Sequence, residues 1–285
     1  MYLIPEVYKR GGQCPPLSQQ KKEQRTENEL SHRPNEILFV LHTDISLIMN
    51  STELATRVIA GVTVPDTPLI TGALDLARKY LEDPGYAHVV RSWLTVFLLI
   101  SALPLAQRQL LDLEAISVAT ILHDLGWSES SDIRTLDRVF EVDGAEAARD
   151  FIRREGNPDE WDKHRTQLVW DAIALHTVSI SEYKEPEVAL SSAGINVDLF
   201  GPEASKQLFG VNMGNVTQNQ LDAISNAYPK TGTRGYVRDV FVSFCRQKPN
   251  VTYWTMAAGW GDKYLDGYSS KGKLVVDVME PLMPE

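Results

Sequence analysis

From Val64 onward, apolar residues recur at the three-to-four spacing of helices that bury one face. Leu69, Ile70, Ala73, Leu74, Ala77, Tyr80 and Leu81 trace the first stripe, behind Asp66-Thr67-Pro68, a cap followed by an early proline. Asp83-Pro84-Gly85 is expected to break the chain. A second helix is expected over 86–102, with Val89, Trp93, Val96, Phe97 and Ile100 on its buried side. Asp112 opens a third, carrying Ala115, Ile116, Ala119 and Leu122, and Gly126 follows as an expected left-handed cap. Asp143-Gly144-Ala145-Glu146 reads as a capping-box start for a helix that Gly156 ends. Asn157-Pro158-Asp159-Glu160 starts the next, kinked near Arg165 and carrying Leu168, Val169, Ala172 and Ile173. Shorter helices are expected over about 186–199, 217–228, 235–246 and 252–265, the second opened by the capping box Thr217-x-x-Gln220. Alternating strand patterns are scarce. The expected fold is an all-α helical bundle.

Composition adds a boundary. Residues 11–36 hold only Cys14, Leu17 and Leu30 as apolar residues, too few to offset the entropy of ordering, so this segment is expected to be disordered or extended. Residues 1–50 form an N-terminal extension; 51–285 form the helical domain with its C-terminal helical part. The chain carries 28 Lys and Arg against 38 Asp and Glu, a net charge of −10. That balance argues against a nucleic-acid partner, which needs a basic face, and in favour of a small-molecule substrate that is neutral or weakly polar. The first residues lack the pattern of a signal peptide. The most apolar run, Trp93 to Ala106, is shorter than the roughly 20 residues a bilayer needs, so no membrane partner is expected. Two cysteines without a CxxC pair fit a reducing, cytoplasmic setting.

Several ionisable residues sit where apolar ones are expected. His123 and Asp124 end an apolar helix, and a carboxylate there is expensive to bury unless paired or metal-bound. Backbone relaxation at a helix end lets both reach one ion. His88 follows the Pro84-Gly85 turn. His176 falls on the buried stripe of its helix, four residues after Ala172. Asp198 interrupts the run Ile195 to Phe200. One metal would satisfy these groups together.

In that order, His88, His123-Asp124 and Asp198 resemble the H…HD…D signature of the HD-domain metal-dependent hydrolases. The surroundings are similar too: Tyr86-Ala87-His88-x-x-Arg91, Ala119-Thr120-Ile121-Leu122-His123-Asp124-Leu125-Gly126, Phe140 to Ala145, and Trp170 to Thr177. Within that superfamily the chain looks most like the cyanamide hydratase-like proteins of fungal type, over roughly 64–265. The resemblance implies an HD-domain bundle in which His88, His123, Asp124 and Asp198 hold one divalent metal. Zinc is favoured by the resemblance; Fe²⁺ or Mn²⁺ also suit such a donor set. It also implies hydration or hydrolysis of a small cyanamide- or nitrile-like molecule, and by analogy a place in specialised metabolism.

His176 is the candidate acid–base group, with a third-histidine ligand or a packing residue as its alternatives. Arg91 is a candidate to hold substrate or to brace a ligating carboxylate, and otherwise makes a surface salt bridge. Trp127 is a candidate pocket wall or plain core. Asp143 is read as an N-cap, and Glu141 as a residue that could face the site. Trp254, Trp260 and Tyr264 are candidates to line a pocket unlike that of the hydratases. Three further readings stay open. A nucleotide or phosphate-ester phosphohydrolase would need cations beside the motif. A di-iron oxygenase would need His164 and His176 both turned inward. A non-catalytic binding module would keep only the fold.

Overall fold

The computed structural model describes residues 54–284. The expectations for residues 1–50 lie outside the described residues. The rest is an all-α bundle: the described residues form twelve α-helices and one small two-stranded sheet. The helices are α1 (Pro68–Tyr80), α2 (Asp83–Ser101), α3 (Leu105–Arg108), α4 (Leu113–Leu122), α5 (Phe140–Glu155) and α6 (Lys163–Ala174). They continue as α7 (Pro186–Phe200), α8 (Pro202–Phe209), α9 (Gln218–Ala227), α10 (Thr233–Gln247), α11 (Ala258–Tyr264) and α12 (Val275–Met279). No helix among the described residues is long and apolar enough to cross a membrane.

Two helices are wrapped on all sides. Every residue of α2 from His88 to Ile100 is buried, and so is every residue of α4 from Glu114 onward. A helix apolar all round belongs in the middle of a bundle. The one-sided stripe read for α2 is therefore too narrow. α7 lies along α2, and α1, α6 and α7 surround α4. A Cβ on Gly194 would stand 2.2 Å from Val96 Cγ2 and 2.9 Å from Val96 N, so only glycine lets α7 come this close to α2. That approach later brings Asp198 of α7 against His88 of α2.

The helix starts divide by what their caps do. Thr67 accepts the Ile70 N–H and Asp112 accepts the Ala115 N–H, as side-chain caps do. Asp83-Pro84-Gly85 opens α2 instead of breaking the chain, because proline is tolerated in a first turn. α5 starts at Phe140, upstream of the expected box; the Asp143 carboxylate instead accepts Thr135 and the Lys248 ammonium. α6 starts at Lys163 behind Asp162, and Asn157 to Glu160 form a turn before it. The expected helix over 252–265 shortens to α11, preceded by turns. The hairpin Thr56–Ile59 with Val62–Pro65 was not expected, since four-residue strands are too short to show a period.

At the start of α4, Asp112 accepts the Arg165 fork at 2.5 and 2.9 Å, and Glu114 accepts the same guanidinium at 2.8 Å and the Thr67 hydroxyl at 2.6 Å. Glu187 of α7 accepts the Asp112 N–H at 3.0 Å. Arg165 also lies over the Trp161 ring. Arg165→Ala leaves two carboxylates facing each other without a cation. It is expected to destabilise the fold by about 1–3 kcal/mol, read by urea unfolding.

Candidate metal centre

Three helix ends build the site. His88 stands in the second turn of α2. His123 closes α4 in helical conformation, and Asp124, at φ −104° and ψ 18°, is the first residue to leave it. The change of direction lets adjacent side chains point into one space. The chain then makes a tight 3-10 turn, Leu125–Trp127, closed by Trp127 N–H donating to Asp124 O. Gly126 is not left-handed here. It is glycine because a Cβ would stand 2.0 Å from the Phe140 carbonyl oxygen at the start of α5. His176 lies just past the end of α6, in the turn after Ala174, and not on the helix stripe.

The imidazoles are preset. His88 Nδ1 donates to Asp198 at 2.7 Å, His123 Nδ1 to Thr120 O at 2.8 Å, and His176 Nδ1 to Ile173 O at 2.6 Å. Since all three acceptors are oxygens, each ring turns its Nε2 toward the shared space, where the neutral form offers a lone pair. His88 Nε2 and His123 Nε2 are 3.2 Å apart. Asp124 Oδ2 is 3.1 Å from His123 Nε2 and 3.4 Å from His88 Nε2, and Asp124 Oδ1 is 3.6 Å from His176 Nε2. Donors about 2.1 Å from a tetrahedral ion lie roughly 3.4 Å from one another. His88, His123 and Asp124 thus form a buried cluster that can hold a metal ion.

Its electrostatics ask for a cation. Asp124 is fully buried and neither carboxylate oxygen has a hydrogen-bond donor. Burial works to raise its pKa, but His123 and His88 outweigh this and hold it well below the usual carboxylate range, so it is an anion. Burial lowers the His88 pKa, and the carboxylates of Asp124 and Asp198 reverse this to a net rise. His176 is pushed down to about 4, by burial first and the neighbouring His123 second, so its ring is neutral. A lone carboxylate among imidazole lone pairs is a costly arrangement without positive charge.

Asp198 is brought to the cluster, but not into it. It lies on the far side of the His88 ring, where it accepts Nδ1 and both arms of the Arg91 fork, at 2.8 and 3.0 Å. Lys230 Nζ adds an ion pair at 3.2 Å. Three donors fix this carboxylate away from the Nε2 side, so the expected fourth ligand becomes the group that orients a ligand. Arg91 is fully buried, and its remaining donor goes to the carbonyls of Tyr228 and Pro229. It braces Asp198 from a buried position, which excludes the surface salt bridge, and it also lines the cavity over the cluster. Partners of this kind tune metal affinity 10–100-fold. Asp198→Asn is accordingly expected to weaken metal binding by about that factor without abolishing it, as competition with a chromophoric chelator would show.

A cavity of about 500 Å³ opens over the cluster. Trp127 lines it and stacks on His88 at 5.6 Å between centroids. Phe140, Phe241 and Trp260 continue the wall, with Trp260 stacked on Phe241. Trp254 and Tyr264 are exposed and outside this lining. Glu141 is buried, accepts the Thr177 hydroxyl and does not line the cavity. His164 is exposed and lines a separate depression beside Asp112 and Arg165, so it cannot join His176. Arg91 aside, no Lys or Arg stands close to His88 or His123-Asp124 in the sequence, yet the fold brings Lys230 and Arg234 to the cavity from more than 100 residues downstream. Nothing in a helical period signals such a contact.

No protein-family model matches the chain, and no curated protein matches it.

Proposed function

We propose that the chain is a metal-dependent hydratase or hydrolase of an organic small molecule, working through one divalent ion. The observation that carries this reading is the Asp124 carboxylate, buried without a hydrogen-bond donor and ringed by three imidazole Nε2 atoms. Its two-or-three-imidazole, one-carboxylate donor set suits zinc first, with Fe²⁺ or Mn²⁺ as alternatives. Membership of the HD-domain superfamily and a cytoplasmic setting are part of the same proposal, resting on the motif order and on cysteine usage.

His88, His123 and Asp124 would hold the ion. Such an ion lowers the pKa of water to about 7 in favourable sites and polarises an electrophilic group. The chain's own residues do the rest. Asp198 and Arg91 keep His88 turned toward the centre. Trp127, Phe140 and Phe241 exclude bulk water, which strengthens every interaction inside. His176, neutral and facing Asp124, either completes the donor set or takes and returns the proton at its Nε2.

Elemental analysis and product assays test the reading. About one metal per chain is expected, with conversion of nitriles or cyanamide to amides or ureas. Less than about 0.2 metal per chain would count decisively against it. A phosphohydrolase is the second reading, supported by Lys230 and Arg234 at the cavity. Phosphate release from nucleotides without any nitrile or cyanamide turnover would favour it.

A further inference from the structure

Cyanamide has three non-hydrogen atoms. A cavity of about 500 Å³ lies in the range that encloses drug-sized molecules, so such a substrate would leave most of it filled with water. The walls offer mainly apolar contact: Trp127, Phe140, Phe241, Trp260, Ile195 and Phe209 all line it. The metal cluster supplies the polar end. A second polar feature lies at the start of α10.

Thr233 and Arg234 both line the cavity. They form the first turn of a fifteen-residue helix whose N-cap, Gly232, has no side chain to satisfy its N–H groups. Arg234 is exposed and has no carboxylate partner among the described residues, although the chain carries ten more acidic than basic groups. Lys230, beside it, also lines the cavity. A guanidinium without a carboxylate partner, beside the Lys230 ammonium at the edge of an apolar cavity, favours an oxyanion. One exposed carboxylate, Glu182, also lines the cavity from the Ser179–Tyr183 turn.

We propose that the substrate is an amphiphile, with an apolar body of roughly aromatic-ring size or larger against the Trp127–Phe241 wall and an oxyanion held by Arg234 and the first turn of α10. This rests on the pocket reading above and extends it: the reacting group lies toward Asp124 and the anion toward α10. The oxyanion is a carboxylate or a phosphate monoester, and the two have separate arms in the test.

The test measures binding to the metal-loaded protein through quenching of tryptophan fluorescence, with phenylbutyrate, phenylpropyl phosphate, phenylbutyramide and phenylbutylamine. At least one anion is expected to bind about 10–100-fold more tightly than the neutral amide and the amine, the range of one charge-assisted hydrogen bond. Arg234→Gln should bring the anion to the level of the amide and leave the amide unchanged. Equal binding of anion and amide, tighter binding of the amine, or a preference that survives in Arg234→Gln would overturn the proposal. So would failure of every probe to bind at millimolar concentration. His123→Gln separates the two readings. If the preference disappears there but persists in Arg234→Gln, the anion sits on the metal; this inference then fails while the metal site stands. If the protein binds no metal yet the preference exists and depends on Arg234, the metal reading fails and the anion site stands.

Discussion

Asp124→Asn is expected to abolish metal binding and, with it, the stabilisation that metal gives the fold. The two effects have one cause. Asp124 is a buried carboxylate with no hydrogen-bond donor on either oxygen. Without a metal its charge is matched by His123 and His88, which hold its pKa down, and a neutral amide loses that match. With a cation it is, among the described residues, the only anion touching the cluster, since Asp198 faces the other side of His88 and is already matched by Arg91. At a hundredfold excess over Kd, metal should stabilise the native chain by about 2.7 kcal/mol. For a domain of this size that raises Tm by about 5–10 °C. In Asp124→Asn the metal shift should vanish. The missing shift is the diagnostic result, whatever the metal-free Tm. A metal shift of unchanged size would mean that the carboxylate is an ordinary structural group and not a ligand.

Gly126→Ala is expected to be the most damaging added methyl group among the described glycines. Its Cβ would overlap the Phe140 carbonyl oxygen at 2.0 Å and lie 2.8 Å from the carbonyl carbon. Both are backbone atoms, so no rotamer change relieves the clash. Overpacking usually costs about 1–3 kcal/mol, and a backbone clash belongs at or above the top of that range. Calorimetry should give a Tm lowered by about 6–12 °C. The movement also has a direction. It pushes the Leu125–Trp127 turn away from α5, carrying Trp127 off His88 and shifting Asp124 two residues upstream. Metal affinity should therefore fall in any fraction that still folds. A variant with normal metal binding and unchanged Tm would show that α5 does not hold the turn in place.

The helices were legible because their signals are local. Apolar spacing and the caps Thr67, Asp112 and Thr217 each act within one turn. Asp143 misled for the opposite reason: it has the residues of a capping box around it, but its partner Lys248 arrives from α10's end, 105 residues away. His123-Asp124 was legible as a chemical anomaly, a charge on an apolar helix. That Asp198 would meet His88 from the Nδ1 side was not, since order along the chain does not say which ring nitrogen a carboxylate reaches. The same holds for Lys230 and Arg234. Gly126 was recognised as important but for the wrong property, left-handedness in place of absent volume.

The charge cluster at the start of α4 reaches further than its share of stability. Asp112 and Glu114 are bonded there to three other helices or their approaches, through Arg165, Glu187 and Thr67. Ten residues later the same helix ends in His123. A helix of that length is a strut of about 15 Å that neither stretches nor bends appreciably. Anchored by directional bonds at one end, it transmits tilt and rotation to the other, where donor positions matter to tenths of an ångström. Replacing Arg165 should thus be felt at His123 as misalignment, and the far end of α4 becomes the adjusting screw of the metal centre.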